Sequence, residues 1–107
     1  MSDRKKQLLE LLQSDPNDVF LHYALGMEAL SENDLQAALT QFQKTIGLQE
    51  NYHAAYYQLA LIYRNIDITD VAFTFASKGL KHAQDEKNIK AVQEFQSLIN
   101  ELQEINF

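Results

Sequence analysis

Apolar residues recur along this chain in short helical stripes separated by polar punctuation, and the arrangement predicts six helices and no strand. Residues 3–13 carry Leu8, Leu9, Leu11 and Leu12, the stripe of a short amphipathic helix. Ser14-Asp15-Pro16 stops it, because proline drives the residue before it out of the helical region. Asn17 then stands where its side chain can cap a helix over about 18–31 that is apolar on nearly every side: Val19, Phe20, Leu21, Tyr23, Leu25, Met27, Ala29 and Leu30. Asn33, which tolerates the left-handed conformation, marks its exit. Asp34 caps a stretch over 35–48 with Leu35, Ala38, Leu39, Phe42 and Ile46 inward. Asn51 opens a helix over about 52–65, which with another over 69–82 repeats the pair, the second having Ala72, Phe73, Ala76 and Leu80 inward. A last helix over 89–105 has Ile89, Val92, Phe95, Ile99 and Leu102 on its apolar face.

The middle of the chain matches itself at a spacing of 34 residues. Leu25-Gly26 returns as Leu59-Ala60, Ala38 as Ala72, and Ile46 as Leu80. Asn17, Asn51 and Asp85 share one phase of the polar punctuation, and Asn33 and Asp67 another. Core positions that recur in step with helix ends mean that one supersecondary unit is built twice.

Composition narrows what such a chain can do. Its 107 residues, 46% hydrophobic, suffice for one domain. Three glycines and one proline leave little room for long irregular loops, and without cysteine there is no disulfide or thiolate chemistry. The start of the chain has no apolar signal core, no stretch is apolar enough to span a membrane, and no Asn-x-Ser/Thr acceptor occurs. A cytoplasmic protein with no membrane contact is therefore expected. The net charge of −6 leaves only Arg4-Lys5-Lys6 and scattered lysines to form a basic face, so nucleic acid is not expected as a partner.

Candidate chemistry is sparse. His22, His53 and His82 fall on three different helices. His22 reads as an occupant of a packing slot. Residues 65–70 have the acidic look of a calcium loop but carry Asp70 and Ala76 where its turn glycine and bidentate glutamate belong. No phosphate-cradling glycine loop and no nucleophile motif occurs. The chain is not expected to be an enzyme or to hold a cofactor or metal.

The repeats resemble those of the tetratricopeptide repeat family, whose pattern is Trp-x-x-Leu-Gly-x-x-Tyr, then Ala-x-x-x-Phe, then Pro. The first copy reads His22-x-x-Leu25-Gly26-x-x-Ala29 and Ala38-x-x-x-Phe42. The second reads Tyr56-x-x-Leu59-Ala60-x-x-Tyr63 and Ala72-x-x-x-Ala76. His22, Ala29 and Ala76 depart from the aromatic slots, and Glu50 and Gln84 from the proline slot, which Pro16 fills for a truncated repeat upstream. The resemblance implies an all-α helix–turn–helix solenoid forming a single domain over 1–107. Its parts would be an N-terminal half-repeat helix at 3–13, repeats at 18–50 and 51–84, and a capping helix at 87–106.

The resemblance also implies a binding function. In the family the first helix of each unit lines a concave groove that receives a peptide or a partner helix. The slots facing it here are Phe20, Tyr23, Met27 and Leu30 in the first unit and Tyr57, Leu61 and Arg64 in the second. Physical reasoning converges on the same face, since a helix apolar on all sides needs its second face covered. Either the last helix covers part of it or a partner does. Phe20 and Leu30 also suit a core beneath the terminal helices, whereas phenol and guanidinium heads favour a wet edge. One branch of the family grips a terminal carboxylate with Lys, Asn and Arg, but the corresponding positions hold Tyr23, Met27 and Gln58. The expected activity is binding of an apolar peptide or amphipathic helix through Phe20, Tyr23, Met27, Tyr57, Leu61 and Arg64. The alternatives are a homodimer through the same face and, third, docking through the acidic outer surface.

Overall fold

A computed structural model describes residues 2–105, with side chains through residue 104. The described residues form α1 (Asp3–Ser14), α2 (Val19–Ser31), α3 (Leu35–Leu48), α4 (His53–Asn65), α5 (Thr69–Asp85) and α6 (Ile89–Ile105), with no strand among them. They fall into two compact units, Met1–Glu50 and Asn51–Phe107, of three helices each.

Local chemistry accounts for the boundaries. Side-chain oxygens of Ser2, Asp18, Asp34 and Asn88 accept from the N–H groups of Lys5, Leu21, Ala37 and Ala91, satisfying a donor at the start of α1, α2, α3 and α6. Asp18 thus caps α2 where Asn17 was expected to. Tyr52 stands before α4 with no side-chain cap, so Asn51 does not open that helix. Helices α2, α4 and α5 leave through one turn type, with Asn33, Asp67 and Lys87 at φ of 58, 64 and 56°. In each case the next N–H reaches back five residues, from Asp34 to Ala29, Ile68 to Tyr63 and Asn88 to Ala83. Helix α5 extends past the expected end at 82 to Asp85, because nothing before the left-handed Lys87 interrupts its backbone ladder.

In unit 1, Leu8 of α1 packs with Leu21, Ala24 and Leu25 of α2, and Leu12 lies against them. On another face of α2, Gly26 lies beneath Phe42 of α3, so close that a Cβ would stand 2.5 Å from the ring. Phe42 and Ala38 are fully buried. Leu35, expected inward, is exposed at the first turn of α3. His22 fills its packing slot and is held at both ring nitrogens: the Pro16 carbonyl accepts from Nε2 at 2.8 Å, and Nδ1 lies 2.8 Å from the Gln41 carboxamide.

In unit 2, Leu59 and Ala60 of α4 and Ala72 and Ala76 of α5 are fully buried. Phe95 of α6 lies over Gly79 of α5, where a Cβ would stand 2.4 Å from its ring. The buried residues of α6 are Ala91, Phe95, Leu98 and Leu102, which corrects the expected face. Ile89 is 74% exposed, and Val92 and Ile99 are half-buried. The apolar arc of α6 is wider than its contact, and the side toward Leu98 is the one that packs.

Candidate interaction surface

Helix α2 has three faces. One, through Leu21, Ala24 and Leu25, is closed by α1, and a second, through His22 and Gly26, is closed by α3. The third carries Phe20 and Met27, 60% and 39% exposed, two helical turns apart on one side. Tyr23 and Leu30 flank that pair and are half-buried, the Tyr23 ring resting 5.5 Å from Phe42. Large apolar side chains on a soluble surface are common singly, so it is the alignment of these on one helix that marks the stripe.

The same positions on α4 meet different neighbours. Tyr57 is half-buried, with its ring edge-on to Phe95 of α6 at 5.3 Å. Arg64 donates from Nη1 to Oε2 of Glu101 at 2.8 Å and from Nε to Asn65. Leu61 is half-buried. The last helix therefore covers part of this face within unit 2. A cleft of about 430 Å³ remains between α4 and α6, lined by Tyr57, Arg64, Lys90, Glu94 and Ser97 among others. The structure thus brings Phe20, Tyr23 and Met27 onto one side of α2, and Tyr57, Leu61 and Arg64 onto one side of α4.

Sequence reasoning did not single out Lys90, Glu94, Ser97 and Glu101. Their spacing of four, three and four residues puts them on one helical face, and that regularity was the available signal. It also missed the pair between His53 Nε2 and Glu86 Oε2 at 3.3 Å, which ties the start of α4 to the end of α5. Among the described residues no three His, Asp or Glu side chains converge as a metal site would require, and no helix is long and apolar enough to cross a membrane.

The chain is similar to a tetratricopeptide repeat domain protein from Salinibacter ruber. Against its solution structure the identity is 31%, covering 82% of this chain and 89% of that one, with a TM-score of 0.77. Against its crystal structure the values are 29%, 80%, 96% and 0.76. A Bordetella parapertussis protein shares the fold over 99% of this chain and 92% of its own, at 20% identity and a TM-score of 0.84. No protein-family profile and no curated protein matches the chain.

Proposed function

This chain belongs to the tetratricopeptide repeat family, an all-α helical repeat fold generally used for protein interaction, and from that premise we propose that it binds an apolar peptide or an amphipathic helix. The proposal treats residues 1–107 as one interaction domain with no catalytic role. Its principal contacts are Phe20, Tyr23 and Met27 on α2; Tyr57, Leu61 and Arg64 on α4 form a second contact set. The observation that carries the reading is the exposure of Phe20 and Met27 on a helix whose other faces are closed by α1 and α3. A partner helix with apolar residues at matching three- and four-residue intervals would cover that stripe.

The test is affinity capture from native extract with wild type, Phe20→Asp and Met27→Asp side by side, followed by titration of any protein captured selectively. A protein held by wild type, lost by both variants and bound directly in titration supports the reading, provided the variants keep their helicity. Identical captures contradict it. If wild type instead retrieves only itself and light scattering gives twice the chain mass, halved by Phe20→Asp, the face serves a homodimer.

A further inference from the structure

We infer that α1 and α6 are complementary halves of one repeat, and that Arg4 and Gln96 keep copies of this chain from joining head to tail through them. Helices α2, α4 and α6 share one register of buried positions. Counted from the residue before each helix (Asp18, Tyr52, Asn88), the third and seventh positions are buried in all three: Leu21 and Leu25, Ala55 and Leu59, Ala91 and Phe95. The fourth and eighth positions are buried only in α2 and α4, as His22 and Gly26, then Tyr56 and Ala60. In α2 and α4 those positions lie on the face closed by the second helix of the hairpin. In α6 they hold Val92, half-buried, and Gln96, exposed. Helix α6 therefore has the register of a first helix whose second-helix face is open.

Helix α1 shows the converse. At the spacing of 34 residues, Arg4, Leu8 and Leu11 correspond to Ala38, Phe42 and Thr45 of α3. All three α3 residues are fully buried, whereas in α1 only Leu8 is buried, at 6% exposure, and Leu11 is 56% exposed. Helix α1 has the register of a second helix whose first-helix face is open. Exposed Leu11 on one and Ile89 on the other would lose solvent contact if two copies completed each other's repeat.

Two positions oppose that joining. The completed repeats carry small residues there, Gly26 or Ala60 on the first helix and Ala38 or Ala72 on the second, all buried. At Gly26 even a Cβ would stand 2.5 Å from the opposing ring. The open halves carry Gln96 and Arg4 at these same slots. Arg4 is 62% exposed and directed to Glu28, 3.7 Å away. Two long polar side chains in slots that admit a hydrogen or a methyl group hold the helices apart, and joining them would take an amide and a guanidinium out of water.

The test is sedimentation velocity of wild type, Arg4→Ala/Gln96→Ala, and that double variant with Ile89→Asp added, from micromolar to millimolar concentration. Alanine at exposed helical positions favours the helix, and circular dichroism verifies the fold. Relative to wild type, the double variant should gain mass with concentration, reaching two or more chains, and the added Ile89→Asp should reverse the gain. The inference is overturned if the double variant matches wild type throughout, if Ile89→Asp fails to reverse its gain, or if wild type already associates and Ile89→Asp disperses it.

Discussion

In unit 1 the ring that fills the hairpin comes from within it: Phe42 of α3 lies over Gly26 of α2. In unit 2 the matching positions are Ala76 and Ala60, both fully buried. That hairpin packs its own rings elsewhere, Phe75 against Tyr56 and Tyr63, and Phe95 of α6 adds another over Gly79. The flanks differ as well, since α1 buries only Leu8 whereas α6 buries Ala91, Phe95, Leu98 and Leu102. Helix α6 also engages the outer face of α4 through Tyr57 and Arg64, while Phe20 and Met27 stay exposed on α2. The helix that flanks a hairpin thus decides which of its side chains remain available at the surface.

The largest expected effects come from emptying either slot. Phe42→Ala and Phe95→Ala should each cost about 3–5 kcal/mol, read by urea denaturation. Hydrogen exchange should separate them, with Phe42→Ala loosening α2 and α3 and Phe95→Ala loosening α6. Equal loosening of both units by either variant would erase the distinction. Next is Gly26→Ala, whose methyl would strike the Phe42 ring and cost roughly 1–3 kcal/mol. The double variant Gly26→Ala/Phe42→Ala copies the Ala60/Ala76 pair and should cost less than the two singles summed. Additive losses would mean that the two positions do not share one slot.

Smaller effects sharpen the picture at the surface. A Cβ at Gly47, in the last turn of α3, would meet nothing within 4 Å. Gly47→Ala should therefore stabilise the protein by up to about 1 kcal/mol. A lower melting temperature would show that the turn needs glycine. Arg64→Ala should cost no more than about 1 kcal/mol, because its pair with Glu101 is partly exposed and screened by solvent. Strong salt also removes the pair, so wild type and variant should converge in stability as salt is raised.

Much of the fold was legible in the sequence, because the period, the apolar stripes and residues such as Asn33 are local signals that agree with one another. The extra turn of α5 was not, since its stop rests on Lys87, a residue with no left-handed preference to read. Nor was the buried side of α6. Ile89, Val92, Phe95, Leu98 and Ile99 span a wide arc, and the neighbours choose which part of it packs. The candidate surface was legible as two sets of slots, but Tyr57 and Arg64 looked like free wet-edge anchors and prove to be held by α6. Their partners, Phe95 and Glu101, lie 38 and 37 residues away, beyond any local periodicity. Phe107, the terminal aromatic, lies outside the described residues.

Helix α2 leaves Phe20 and Met27 exposed, whereas α6 engages the matching face of α4. Thermal unfolding of Phe20→Asp beside Tyr57→Asp separates the two faces. An unchanged transition is expected for Phe20→Asp, with loss of partner binding, and a lowered one for Tyr57→Asp, whose charge would sit against the Phe95 ring. The reverse order, with Phe20→Asp unfolding the chain and Tyr57→Asp leaving it intact, would contradict this division.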